Sequence, residues 1–458
     1  MVRAVARASV AFLLFASAAW SAEWKAGVGR AVITPDRPIY LSGYASRNHP
    51  SEGVIHDLWA KALALEDRRG GRVVIVTTDV IGLPRWLTDL VAARVQKAHG
   101  LDRARLVINA AHTHTGPYIR GNLPTMLDLA PDDQRIVEAY AQKLADTIVT
   151  VIDAAIRDLA PAEVSFGNGA AGFAMNRREP TPNGVRIGEN PAGPVDKDVP
   201  VLKVTGADGK LRAVLFGYAC HNTTLTGDFY KISGDYAGFA QIDLERQHPG
   251  ATALFMMLCG ADQNPSPRST LALAEQHGRT LSAEVGRVLG SRMRPVRGPV
   301  RAAFEIVELG FAPHSRETFE ARLHDPNPNR VRHARAMLRD YDERHPLRRY
   351  PYPVQAVALG RDWTLIALGG EVVVDYALRL KREYGAAGLV VAGYSNDVMS
   401  YIPSLRVLKE GGYEPDTSML YYGLPGPYDE EVESRIFGAI HSMMLKRLGR
   451  RPRPTSER

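Results

Sequence analysis

The histidines His112 and His114, inside the stretch Leu-Val-Ile-Asn-Ala-Ala-His-Thr-His-Thr-Gly-Pro from Leu106 to Pro117, are the pair whose type and spacing most directly suggest chemistry. Neutral imidazole binds divalent metals and titrates near neutral pH, so one ring can hold an ion while its neighbour handles protons. The apolar, β-branched run before them predicts a buried strand, which Gly116 and Pro117 cannot continue. Alternation along a strand would point both rings the same way. Taken alone, a His-x-His pair fits two satisfied polar residues at a strand end equally well.

Further polar residues arrive after other strand-like runs: His221, then Asp262 and Asn264, then Glu371, then Tyr401. A crevice beyond the ends of sheet strands gathers such residues into one site. Two neutral imidazoles and a carboxylate match the ligand set of a catalytic zinc, with a position left for water or a phenol oxygen. An ion so held brings the pKa of water towards about 7 and polarises a carbonyl. Plainer roles compete. Glu371 is also suited to start a helix over 372–381, where a carboxylate meets the helix dipole, and tyrosine is common on half-buried surfaces. Asp57, Asp79 and Asp262 are left out of the metal set, because carboxylates at strand ends often cap turns.

The elements that must position these residues alternate in type. Strands are expected at 24–35, 59–65, 73–80, 163–166, 201–204, 213–220, 251–259, 354–359, 363–368 and 389–394. Helical periodicity marks 86–99, 132–159, 236–247, 271–289 and 430–448. The alternation predicts an α/β fold, with mixed β-sheets and flanking helices in one large domain. Residues 172–194 are dense in Gly, Pro, Asn and Arg and read as a functional loop carrying Asn176-Arg177-Arg178. Residues 316–350 are strongly charged and helical in pattern, as expected of a solvated surface insertion.

At 458 residues, 45% hydrophobic and 23% charged, the chain has length for a large core and no disorder signature. Residues 1–22 have the form of a secretory signal peptide, with basic residues leading into a short apolar run and small residues for cleavage. That implies a secreted or periplasmic location, a main domain over 23–448 and a basic tail over 449–458. The net charge of +7 is mild and partly concentrated in that tail, so nucleic acid is not an expected partner, while peripheral contact with a membrane surface is compatible. Cys220 and Cys259 fit either a disulfide or two small buried residues.

Six segments, taken in order, resemble the N-terminal catalytic domain of the neutral/alkaline (non-lysosomal) ceramidases. They are Ala26-Gly-Val-Gly-Arg-Ala-Val-Ile-Thr-Pro35, His112-Thr-His-Thr-Gly-Pro117, Asn176-Arg177, Gly260-Ala-Asp-Gln-Asn-Pro265, Gly370-Glu371, and Asn396-Asp397 through Tyr401 to Tyr413. The resemblance runs from about Trp24 to Tyr422. It implies a hydrolase of the ceramide amide bond with one Zn2+ per chain and a small-molecule or lipid substrate. It further implies His112, His221, Glu371 and Tyr401 as metal ligands, and His114 as the acid/base or substrate-contacting residue. Arg177 and Tyr413 are implied to polarise the carbonyl or steady the oxyanion, with Arg178 competing for the role of Arg177 and loop surface the plainer reading of either.

Two departures bear on the substrate. The family's turn reads Gly-Asp-Val-Ser-Pro where this chain has Ala261 to Pro265, so Asn264 replaces a serine thought to assist catalysis. An amide can hold water or donate a hydrogen bond but is no nucleophile. The family's C-terminal immunoglobulin-like domain also has no counterpart in this sequence. A metal-dependent esterase or amidohydrolase on a non-lipid substrate therefore stands as an alternative, as does an exported binding or structural protein that keeps the fold without activity. A metallo-β-lactamase pattern is excluded by Gly116 and Pro117, which stand where its Asp and His belong.

Overall fold

The strand Trp24–Val32 shows how the layers come together. A Cβ added at Gly27 would lie 2.1 Å from the Ala155 carbonyl oxygen, and one at Gly29 2.1 Å from that of Val151. The two glycines thus let the helix Pro131–Arg157 lie directly on the strand backbone. In this computed structural model, which describes residues 22–453, that strand sits inside a nine-stranded sheet. The order is Thr252–Met257, Leu211–Tyr218, Asp198–Gly206, Ala160–Ala170, Trp24–Val32, Trp59–Asp67, Arg72–Thr78, Leu106–Ala110, with Arg294–Pro295 added to Ala160–Ala170. Its inner pairs are antiparallel, and the two outermost pairs are parallel.

A second sheet of four strands runs Val300–Gly310, Arg349–Leu359, Trp363–Leu368, Leu389–Ala392, the last pair parallel. The two sheets share an apolar core in which Leu63, Leu65, Ile75 and Val107 meet Val357, Leu359 and Leu365. The alternate residues Ala62, Ala64, Val74 and Val76 face the other way, towards Val91, Leu144 and Ile148 of the helices Arg85–His99 and Pro131–Arg157. The outer side of the small sheet is covered by Ile440 and Met443 of Val432–Lys446. The α/β class and its flanking helices therefore stand as expected, in the order helix, sheet, sheet, helix. Among the described residues no helix is long and apolar enough to cross a membrane.

Several expectations are corrected. Residues 172–194 hold a hairpin, Ala174–Thr181 with Gly184–Asn190, joined on its other side by Gln263–Pro265. Pro182 and Gly184 lie at the turn and Gly188 beside the irregular step between Asn176 and Arg178, so the ladder persists on either side, and Arg177 and Arg178 stand on a strand. The eleven-residue strand Val300–Gly310 was not anticipated, because its mixed alanine and glutamate content hides the alternation. It pairs along its whole length with Arg349–Leu359, which draws residues 349–350 out of the charged insertion. The rest of that insertion has a small core of its own, Phe319, Ala334, Met337 and Leu338.

Two further shifts concern the site. The helix expected from 372 begins at Asp375, and Glu371 instead lies in the two-residue strand Glu371–Val372, paired in parallel with Tyr401–Ile402. Its role as a helix-starting carboxylate is thereby removed. The His112 strand ends at Ala110, and His112 has a φ of +64°, so a turn rather than strand alternation aims the two imidazoles. Cys220 and Cys259 are buried free thiols. The signal-peptide reading of 1–22 falls, save for its last residue, outside the described residues, as does the end of the basic tail.

Candidate metal centre

The centre lies where strands of both sheets end. His112 follows Leu106–Ala110, His221 follows Leu211–Tyr218, Asn264 follows Thr252–Met257 and Glu371 follows Trp363–Leu368. Asn109 stitches these ends together. Its Nδ2 donates to the Gly393 carbonyl at 2.9 Å and approaches the Met257 carbonyl at 3.2 Å, while its Oδ1 accepts from Met257 N at 2.9 Å. A single buried amide so fixes the two sheets relative to each other beneath the histidines.

His112 and His221 are oriented in the same way. Nδ1 of His112 donates to the Ile81 carbonyl at 2.6 Å and Nδ1 of His221 to the Gly260 carbonyl at 2.8 Å. A carbonyl only accepts, so each neutral ring carries its hydrogen on Nδ1 and turns a lone pair outward from Nε2. Both Nε2 atoms lie 3.1 Å from Oε2 of Glu371. Nε2 of His114 is 3.1 Å from that of His112, and the ligand atoms of His112, His114 and His221 all lie within 4.8 Å of one another. His112, His221 and Glu371 are essentially closed to solvent.

This arrangement tests whether a cation fits. Two imidazole lone pairs and a carboxylate oxygen converge in a buried space with no hydrogen among them, an unfavourable cluster unless a proton or a cation is shared. Donor atoms around a tetrahedral zinc stand roughly 3.3 Å apart for bonds near 2.0 Å, close to the separations here. Burial, helped by the Arg177 charge beside it, pushes His221 down to about 3, and burial also holds His114 well below the usual imidazole range. Desolvation opposes the charge on Glu371, but His112 and His221 outweigh it and keep the carboxyl well below the carboxylate range. His114 and His221 are thus kept neutral and Glu371 ionised, the forms in which these groups ligate metals.

The remaining expected residues gather around this core. Tyr401 Oη lies 3.4 Å from His221 Nε2 and accepts from Arg177 Nη2 at 2.9 Å. Burial raises its phenol well above the usual value, although Arg177 pulls the other way. Arg177 Nη1 also meets His221 Nε2 at 3.2 Å and Asn264 Oδ1 at 3.3 Å. The Tyr413 ring stands edge-on to Tyr401 at 5.4 Å, with the Arg177 guanidinium 5.7 Å from its centre. All eight expected residues are thus brought into one cluster, His114 as close to the imidazole core as the others. Asp262 is engaged elsewhere, accepting from Val374 N at 2.9 Å and Asn176 Nδ2 at 3.2 Å, with burial pushing it up to about 7. Asp57 and Asp79 likewise bond Thr34 and the Trp59 backbone, outside the cluster.

Sequence reasoning missed the residues that support this core. Tyr422 donates to Oε1 of Glu371, and Tyr394 lies 3.3 Å from Oε2. The only signal for Tyr422 was the aromatic density of the segment after Tyr401, and Tyr394 had none. Arg47 donates to the His114 carbonyl at 2.6 Å, and Tyr44 places its ring edge-on to His114 at 5.0 Å. Between them Gly43, at φ +93°, leaves room for the imidazole: a Cβ there would lie 2.3 Å from His114 Nδ1.

Similarity to known proteins agrees with this geometry. The family described as neutral/alkaline non-lysosomal ceramidase, N-terminal, matches residues 24–274. A neutral ceramidase of Mycobacterium tuberculosis is 24% identical over 91% of this chain and 77% of its own length. Those of Pseudomonas aeruginosa and Drosophila melanogaster are 26% and 25% identical over 53% of this chain, but over only 37% and 36% of their own lengths. The crystal structure of the Pseudomonas aeruginosa neutral ceramidase superposes with a TM-score of 0.73 at 19% identity, covering 95% of this chain and 76% of that one, and so shares the fold. With more than half of its residues inside the family pattern, this chain belongs to the neutral/alkaline non-lysosomal ceramidases.

Proposed function

We propose that this protein is a zinc-dependent amidohydrolase that cleaves the amide bond of ceramide or another N-acyl lipid. The observation that carries the reading is the convergence of His112 Nε2 and His221 Nε2 on one oxygen of Glu371, at 3.1 Å each, in a buried space. One zinc ion held by His112, His221, Glu371 and Tyr401 supplies Lewis acidity and a water acidified to near neutrality. The protein's own groups then do the positioning. Arg177 keeps a fixed charge beside His221, near the place where a carbonyl oxygen would gain charge. Tyr413, whose ring flanks the same guanidinium, is placed to give a phenolic hydrogen bond to that oxygen. Nδ1 of His114 is buried without a hydrogen-bond partner, and is the ring nitrogen open to take up and return a proton.

The basic and apolar start of the chain supports action outside the cytoplasm, in the periplasm or after secretion, where N-acyl lipids of a membrane surface would be met peripherally. Asn264 at the family's serine position, with its Oδ1 turned to Arg177, supports a substrate other than ceramide.

The test is a purified protein assayed for metal by elemental analysis and for turnover of ceramides, other N-acyl lipids, acylated amino acids and simple esters. About one zinc per chain, lost together with activity in His112→Ala, is expected. Retention of zinc by His112→Ala removes His112 from the ligand set, and a zinc-loaded protein that hydrolyses none of these substrates overturns the hydrolase reading.

A further inference from the structure

Behind the centre, one buried carboxylate takes both guanidiniums of the consecutive arginines Arg177 and Arg178. Arg177 Nε donates to Glu414 Oε1 at 2.9 Å, and Arg178 Nη1 donates to Glu414 Oε2 at 2.6 Å. Glu414 is 1% exposed, Arg177 5% and Arg178 3%. On a regular strand neighbours point to opposite faces, yet one carboxylate here reaches both side chains. It does so where the hairpin ladder is irregular, with a shift in register between Asn176 and Arg178. Glu414 also directly follows Tyr413 in the single π-helical turn Tyr413–Thr417, and its carbonyl accepts from Ser418 Oγ at 3.0 Å.

We infer that Glu414 is a positioning and charge-balancing residue for the centre: it fixes the Arg177 guanidinium against His221 and Tyr401 and offsets its charge where a divalent cation is to be held. Three observations converge. Each guanidinium edge of Arg177 is assigned: Nε to Glu414, Nη1 to His221 and Asn264, Nη2 to Tyr401, so the Glu414 contact sets the rotation of the planar fork. The guanidinium carbon lies 5.4 Å from the Tyr401 ring centre and 5.7 Å from that of Tyr413, so the same contact sets its place between the two phenols. Finally, a buried cation at 3.2 Å from His221 Nε2 repels any second cation bound at that nitrogen, and in a low-dielectric site only a close anion offsets the repulsion. Glu414 is the carboxylate in contact with this arginine. Arg178, with further anchors at Glu410 Oε2 and the Gly411 carbonyl, holds Glu414 from its far side.

The catalytic half of this inference rests on the hydrolase reading; the metal-binding half does not. Glu414→Gln keeps the shape and removes the charge, and Glu414→Asp keeps the charge and shortens the reach. Each full-length variant is stripped with a chelator, titrated with zinc alone against a competing indicator, and compared for kcat and KM on the best substrate of the wild-type protein. Glu414→Gln is expected to lower zinc affinity by tenfold or more and kcat by 10- to 100-fold with little change in KM, and Glu414→Asp to recover part of both. Zinc affinity and kcat both within threefold of wild type in folded Glu414→Gln overturn the inference, even if its melting temperature falls. Should Glu414→Gln fail to fold, Glu414→Asp tests the positioning role alone, and a kcat within threefold of wild type in it overturns that role. A wild-type protein that binds zinc but turns over nothing defeats the hydrolase reading, and the zinc titration then decides the role of Glu414 alone.

Discussion

Tyr422 gives its hydroxyl hydrogen to Oε1 of Glu371, and this leaves Oε2 of the same carboxylate to face the two imidazoles. One oxygen is thereby anchored, and the other is left to the imidazoles and, on the proposed reading, to a metal ion. Partners of a ligating carboxylate typically contribute a factor of about 10–100 to metal affinity. Tyr422→Phe is therefore expected to fold and to bind zinc about tenfold more weakly, measured by competition with a chromophoric chelator. Unaltered affinity would show that Tyr394 and packing suffice to orient Glu371.

Gly43 fixes the room available to His114. Alanine at this position meets both a left-handed backbone and a side-chain atom 2.3 Å from Nδ1. Strain of this type costs about 1–3 kcal/mol, so Gly43→Ala is expected to melt several degrees lower. It is also expected to lose at least tenfold in turnover, because the ring must move. Wild-type turnover in the alanine variant would mean that the position of the His114 ring is not critical to the reaction.

Asn264 occupies Arg177 from the side opposite to Glu414 and also accepts from Thr223 Oγ1 at 3.4 Å. Serine is shorter and frees one Arg177 N–H for a substrate oxygen. Ceramide hydrolysis by Asn264→Ser is expected to rise several-fold over the parent. Equal rates in a side-by-side ceramide assay would place substrate choice at other residues.

His56 predicts an acid limb of stability. Its Nε2 accepts from Gly234 N at 2.8 Å, and burial pushes the imidazole down to about 4 against a smaller pull from Asp57. A histidine whose folded pKa lies below its unfolded value, near 6.5, stabilises fully above 6.5 and loses that contribution as pH falls through 4. The loss is at most about 3 kcal/mol. Urea midpoints measured at pH 7, 5 and 4 should fall less steeply for His56→Gln, whose amide oxygen can accept the same N–H. Parallel slopes for the two proteins would assign the acid limb to other groups.

What the sequence made legible follows from range. The strand before His112, the helix Leu271–Leu289 and the strand Trp363–Leu368 are recorded in local periodicity, and they appear where it places them. The eight candidate residues could be named because each follows an apolar run or stands in a segment that resembles the ceramidases. The hairpin around Arg177 is not visible locally because the proline and glycine within it read as a loop, whereas part of its pairing is with Gln263–Pro265, far away in sequence. The turn that aims His112 was equally invisible, since a positive φ at a histidine is imposed by surrounding contacts rather than by propensity. Glu414 and Tyr422 carry no motif at all. Their importance is a matter of which atoms they touch.

The Asn109 seam has a consequence for any attempt to work with part of the molecule. The family pattern ends at residue 274, yet Glu371, Tyr401 and Glu414 all lie beyond it, on the far side of that seam. A fragment cut at the pattern boundary would own the imidazoles but neither the carboxylate nor the phenol, and half of the buried sheet interface would face water. During synthesis the same logic makes the last third of the chain the part that completes the centre.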